Sequence, residues 1–556
     1  MNNNKQQTMS KGFAVLSISN ILVKILSLFF VPIMRSEHML GHVNYSVFAT
    51  SNTFFAFVYV LATAGLPVAI AKLVSELISK QDEKGAERAF RLARSVLFTI
   101  GLLLSLLMAI LCKPIASMMG MPESWGGILF ISPTILICSV LSAYKGYFQG
   151  RKNMNPTAVS QVVEQIVHMV VTIVMTWILL PKGVIWAVAG ASMGTVAGAA
   201  VSLVYMIRQR KMITRLDYRQ RLSTIKAGGR SALDSVMAVP EKVKRLTTKD
   251  LVKRIFYYSI PITLNTGIQY AGDMIDTSIL NHRLRAGGLA EEVAKALYSD
   301  LASTRQLLNV PTSIISAMCV SILPTMAALH ALKQSKEKSL KANEGYKLCY
   351  MIAVPMTAAF AVFAQAVFTL LGYGSNYNIL MALSFSVILQ GTVHLQSSIL
   401  QSVNRLFTST MFLLIGAVLR LGISYVLAAI PSINVYGAVI STYVSYAVPF
   451  ALNQWALNKK EKLNISVIGN LWKPCLASVF MVMVGFPVYY GLSTVIGIII
   501  SRVWICTFFA FGITAVLCVA VYAYVMIKIG GVTQEDVRGI SPALARRWPK
   551  KIRRIL

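Results

Sequence analysis

Fourteen apolar stretches, each long enough to cross a bilayer, run from Gly12 to Ile527, and lysine and arginine crowd only every second connection between them. About 20 apolar residues cover the roughly 30 Å hydrocarbon core as a helix, and lipid offers no partner to an unpaired backbone group. A chain of such runs is therefore expected to be an all-α membrane protein. The expected spans are 12–34, 43–70, 92–112, 125–148, 157–180, 184–207, 255–281, 300–329, 348–371, 379–402, 407–430, 434–456, 474–496 and 503–527.

The net charge of +32 would suit nucleic acid if it lay on a soluble surface, but the chain is 56% hydrophobic with a mean hydropathy of +0.63. With the N-terminus inside, 43 of the 53 basic residues fall on the inner side, 7 on the outer side and 3 within spans. Such a bias sets orientation, so both termini are expected in the cytoplasm. The basic excess then serves topology and attraction to anionic lipid headgroups, and no nucleic-acid partner is expected. Lys24 interrupts the first span and no small-residue cleavage pattern precedes Arg35, so that span reads as a retained helix. The seven cysteines lie in or beside apolar runs without CxxC spacing or a histidine nearby, which suits packing residues and neither a metal nor a disulfide frame.

The connection 208–254 carries 14 basic residues against 4 acidic ones, with Gly228, Gly229 and Pro240 as breakers. It separates a lobe of six spans (1–207) from a second set of six (255–456); two further spans (457–527) and a basic tail (528–556) follow. The two sets of six match at a nearly constant offset: Pro67 with Pro324, Phe148-Gln149-Gly150 with Leu400-Gln401-Ser402, and Trp186 with Tyr436. Parallel repeats of a transporter are expected to show this, although apolar helices also resemble one another by chance. Pro67 and Pro324 are hinge candidates, since a proline removes a backbone donor and bends a helix; the alternative is a pair of packing kinks.

Ionisable side chains within a bilayer are costly, so those present usually face a protein-lined cavity. Lys24 sits about 18 Å from the inner boundary at a 1.5 Å rise, too deep for easy snorkelling, and is expected to face water or an anion, or to pair with Glu164 or another acid. Arg420 has a similar depth and is expected to line a cavity or to pair with a carbonyl or a lipid headgroup. Asp273 and Asp276 share one helix face and, with Arg305, form either an outer ion-pair gate or a structural bridge. Cations at more than one depth suit an anionic, phosphate-bearing ligand that travels outward. His168, His330 and His394 lack an acid at relay spacing and read as packed side chains. No P-loop, GxSxG or HExxH motif occurs, so an enzyme is not expected.

Two segments carry a resemblance. Gly65 to Glu76 (GLPVAIAKLVSE), and Gly146 to Gly150 (GYFQG) running on through Asn153-Met154 to Gln165, are similar to the stage V sporulation protein B and polysaccharide-biosynthesis flippases, MurJ-like members of the multidrug/oligosaccharidyl-lipid/polysaccharide exporter superfamily. The resemblance implies a bacterial cytoplasmic-membrane flippase with two six-helix lobes around a V-shaped cavity, two extra helices flanking a lipid-tail groove, and alternating access. It also implies cations of the first, second and eighth helices on a diphosphate. Lys24 falls where a first-helix Arg would sit and Arg305 near the eighth-helix Arg, while Tyr59-Val60 stand where the pattern has a second-helix cation. Lysine lacks the bidentate fork of arginine.

The expected substrate contacts are Lys24, Arg305, Arg420, Glu164 and Gln165, with Asp273, Asp276 and Arg305 as gate and no catalytic residue, metal or cofactor. The expected cargo is an undecaprenyl-diphosphate-linked cell-wall precursor, lipid II first, with another lipid-linked polysaccharide or spore-cortex precursor as the alternative. A cation-coupled drug antiporter and a non-transporting scaffold for cell-wall synthesis proteins are the competing classes.

Overall fold

Helices begin and end where the sequence supplies caps. Asp82 accepts a 2.7 Å hydrogen bond from the Gly85 N–H and opens the Glu83–Ile110 helix. Thr247 and Asp250 form a reciprocal capping box at the start of Thr248–Ala286. Prolines stand in the first turns of Pro133–Gly150 and Asn155–Leu179, where the missing donor costs nothing. Gly120 and Gly372, at φ of +70° and +63°, terminate the short helices Cys112–Met118 and Ala364–Leu371. The computed structural model describes residues 19, 22–23, 26–27, 30–79, 82–237, 247–499 and 502–532, and among these there are helices and no strand.

Ten stretches are long and apolar enough to cross a membrane, which makes this a multi-pass membrane protein. The four other expected crossings differ for stated reasons. Most of 12–34 lies outside the described residues. The helix Thr248–Ala286 is long, but polar residues such as Asn265, Gln269, Asp273 and Asp276 dilute it, and in Glu291–Ala331 the expected span includes positions whose side chains lie outside the described residues. Tyr436–Trp455 is interrupted by Ser441, Thr442 and Ser445, all buried.

The chain divides into two compact units, residues Met1–Ser299 with Arg420–Val435, and Asp300–Leu419 with Tyr436–Leu556. In the first unit, close helix contacts are made by small residues, as expected where lipid removes the hydrophobic drive for association. Gly190, Gly194 and Gly198 form a GxxxGxxxG stripe on Val184–Met237; a Cβ on Gly194 would lie 2.0 Å from Thr172 Oγ1, and one on Gly198 would lie 2.5 Å from the Glu164 carbonyl oxygen. The two segments that carried the family resemblance meet here. Added Cβ atoms on Gly146 and Gly150 would sit 2.8 Å from the carbonyl oxygens of Pro67 and Ala71, so the GYFQG helix lies directly on the GLPVAIAKL helix. Around that contact Ile70, Val74, Phe90, Tyr144 and Phe148 build a buried apolar cluster.

Helix Gly41–Thr63 breaks at Ala64-Gly65 before Leu66–Ser79, placing Pro67 in the first turn after the break. Gly65 is pressed against Thr248–Ala286: its N–H donates to Thr263 Oγ1 at 3.1 Å, and a Cβ would lie 2.2 Å from the Ser259 carbonyl oxygen. Pro324 falls within the helix Glu291–Ala331.

The order of elements repeats along the chain. Glu83–Ile110, Cys112–Met118, Trp125–Ile131, Pro133–Gly150 and Asn155–Leu179 are followed, after an interval of about 250 residues, by Ser335–Val362, Ala364–Leu371, Asn378–Ser384, Ser386–Ser402 and Leu406–Leu427. Each series includes a helix interrupted at one residue, Ser132 and Phe385 respectively.

Candidate functional site

Charged side chains on different helices of the first unit meet at several places, two of which include acids named in the sequence reading. At the first, Lys145 of Pro133–Gly150 faces Glu164 of Asn155–Leu179, with Nζ 3.6 Å from Oε2. The side chains are 13% and 27% exposed. Tyr59, half-buried on Gly41–Thr63, is within electrostatic reach of both. One turn before Glu164, Gln161 accepts a 2.9 Å hydrogen bond from Ser19 Oγ, and Gln165 is half-buried on the same helix.

At the second place Arg420 lies between two carboxylates of Thr248–Ala286. Its Nη2 donates to Asp276 Oδ2 at 2.6 Å and to Asp273 Oδ1 at 3.3 Å, and its Nε donates to Asp276 Oδ2 at 3.2 Å. The Arg420 and Asp276 side chains are 2% and 0% exposed, whereas that of Asp273 is 43% exposed. Gly272 makes the room: a Cβ there would lie 2.2 Å from Arg420 Nη1. A guanidinium suits this position because its planar fork engages carboxylates with several donors at once. The arrangement spends the Arg420 charge on two carboxylates, partners that the sequence reading did not give it.

Elsewhere in this unit Arg35, buried, donates from Nη1 to the Ser299 carbonyl at 3.2 Å and lies over the Tyr45 ring. Outside the spans, Lys295 bridges Glu123 and Glu291 at 2.8 and 2.9 Å. The hydrogen bond from Lys295 is the main cause holding the Glu291 carboxyl below its usual range. Lys24 lies outside the described residues. Arg305 belongs to the second unit, half-buried on Glu291–Ala331.

The polar interior of the second unit, by contrast, includes a neutral network. Tyr346 OH donates to Gln454 Oε1 at 2.7 Å, and the buried Gln396 donates to the same oxygen at 3.0 Å. Ser409 and Ser397 share a 2.8 Å hydroxyl hydrogen bond.

Sequence reasoning thus named Glu164, Asp273, Asp276 and Arg420 but counted Lys145 with the inner flank. The signal was available: Lys145 lies five residues before the end of one helix and Glu164 nine after the start of the next, joined by a short turn, so the antiparallel pair comes within reach.

The family model described as polysaccharide biosynthesis protein matches residues 9–330. Stage V sporulation protein B of Bacillus subtilis (strain 168) is 24% identical over 472 residues, 83% of this chain and 86% of that protein. Lipid II flippase MurJ of the same organism is 23% identical over 456 residues, 78% of this chain and 80% of its own length. Among solved structures, lipid II flippase MurJ in an inward closed conformation matches with a TM-score of 0.62 at 13% identity, covering 92% of this chain and 98% of that one. An inward-facing multidrug resistance MATE family transporter of the MOP superfamily matches at 0.59 and 16% identity, covering 81% and 99%. The fold is therefore of the type that MurJ and the MATE transporters share.

Proposed function

Because the chain belongs to the polysaccharide biosynthesis protein family, we propose that it is a flippase for a lipid-linked, phosphate-bearing glycan, with lipid II, an undecaprenyl-diphosphate-linked precursor, as its cargo. The observation that carries this reading is kinship with lipid II flippase MurJ and stage V sporulation protein B over most of each chain. In this reading the first expected span, Thr248–Ala286, Glu291–Ala331 and Tyr436–Trp455 join the ten apolar helices as crossings. The repeated element order supports two six-helix lobes, 1–207 and 255–456, which alternate access, with Pro67 and Pro324 at bends and the last two helices outside the repeat.

In this reading Lys24 and Arg305 hold the diphosphate, Glu164 and Gln165 border the path, and Asp273, Asp276 and Arg420 fasten the helices beside it. Both termini and the 208–254 connection lie in the cytoplasm of a bacterium, beside the leaflet where such precursors are made. An inward-negative potential favours outward movement of an anion by about 2.3 kcal/mol per charge per 100 mV.

The test is transfer of lipid II between leaflets of vesicles holding the purified full chain. Wild-type protein is expected to move the lipid; Lys24→Ala and Arg305→Ala are expected to abolish movement, and Lys24→Arg to keep most of it. Failure of the wild type to move any undecaprenyl-diphosphate-linked sugar would overturn the flippase reading, and efflux of a cationic dye in its place would favour the antiporter. A cell kept alive by the transport-dead Lys24→Ala protein would favour the scaffold.

A further inference from the structure

The two buried charge clusters differ in a way that separates a fastening from a binding group. Arg420 is nearly sealed and bonded at 2.6 Å, a distance normal for a charge-assisted hydrogen bond. Lys145 and Glu164 form a longer ion pair, with Nζ 3.6 Å from Oε2, and both remain partly exposed. Among the described residues Glu164 Oε2 is shielded from solvent yet accepts no hydrogen bond. A carboxylate held this loosely in an apolar span restrains a cation that would otherwise be too costly there, without saturating it.

Packing does not account for the pair. The helix that bears Glu164 is clamped to Val184–Met237 by the Gly190, Gly194 and Gly198 stripe. At the repeat offset of 252 the residue corresponding to Lys145 is Ser397, and the second unit joins the corresponding two helices with the Ser409 to Ser397 hydroxyl hydrogen bond, uncharged and short. Joining such helices needs no ion pair.

We infer that Lys145 is a phosphate-binding group of the first unit, occupied by Glu164 when empty and by a phosphate of the cargo during transport. The ammonium is a compact charge on a flexible stem, able to exchange one oxyanion for another without a fixed fork geometry. It lies about 8 Å from the Gly150 end of its helix at a 1.5 Å rise per residue, at the shallow end of the bilayer that the proposed topology turns toward the cytoplasm. This inference rests on the flippase reading and adds to it a shallow entry site for the phosphates.

The experiment compares wild type, K145R, E164Q and the uncharged double variant K145Q/E164Q, all as full chains. Binding of undecaprenyl diphosphate in detergent is read from the shift in melting temperature, with inorganic diphosphate as a second probe, and lipid II transfer is read in vesicles. K145Q/E164Q keeps the net charge of the pair, so a merely structural role predicts unchanged binding. A phosphate site predicts a loss of about tenfold or more, the scale of one charge-assisted hydrogen bond. E164Q, which removes the competing carboxylate, is expected to bind the lipid more tightly than wild type, a gain that damaged folding does not produce, and K145R is expected to bind it. Wild-type affinity and transfer in the double variant would overturn the inference while leaving the flippase reading intact; a wild type that moves no lipid II would overturn that reading first. Stabilisation by inorganic diphosphate alone, with none by the lipid, would assign the site to free phosphate and overturn its role in transport.

Discussion

At the scale of single residues, the cost of burying charge decides which side chains are structural. Removing Arg420 would leave Asp276 ionised and wholly enclosed, and truncating one member of a buried pair costs about 3–5 kcal/mol. Arg420→Met is therefore expected to lower the melting temperature and the yield of monodisperse protein sharply. The triple variant R420M/D273N/D276L should recover most of that loss, because replacing a whole buried pair by well-packed hydrophobic residues is often neutral. Continued instability of the triple variant would show that the charges themselves are required. The sequence made these three residues visible because each breaks an apolar run, yet it left open whether they meet one another or a ligand. What settles their arrangement is the close approach of two helices about 145 residues apart in the chain, made possible by Gly272, whose role no spacing rule announces.

At the scale of helices, hydropathy reveals a span readily when one face meets lipid, and poorly when the helix is rich in polar interior groups. Glu83–Ile110 and Val503–Lys528 illustrate the first case; Thr248–Ala286 is diluted by polar groups, yet its expected span 255–281 falls within one long helix. The glycine stripe went unnoticed because its meaning lies in the partner surface. Gly194→Ala places a methyl group 2.0 Å from Thr172 Oγ1 and 2.7 Å from the His168 carbonyl oxygen, and is expected to destabilise by about 1–3 kcal/mol through overpacking. Gly422, with nothing within 4 Å of an added Cβ, is the control: Gly422→Ala should be neutral or slightly stabilising. Thermal melts of the two variants in one detergent check both expectations, and equal melting temperatures would remove the packing role of the stripe.

At the scale of the whole molecule, the alternation of basic and non-basic connections predicts a topology. A cysteine-free background with Ser231→Cys in the basic connection and Ser375→Cys in the 372–377 connection tests it in intact cells. An impermeant maleimide is expected to label position 375 at once and position 231 only after permeabilisation; the reverse pattern would invert the orientation. The matched residues suggested a repeat, and independently of them the order of five consecutive helices recurs along the chain.

The break at Gly65 has a mechanical corollary. Its amide is tethered to Thr263 and its α-carbon rests against the Ser259 carbonyl with no room for a methyl group. Any change of angle between Gly41–Thr63 and Leu66–Ser79 must pivot on that bearing, so flexing one rod either drags its neighbour along or unseats the pin. A side chain at position 65 would jam the joint before it touched any cargo.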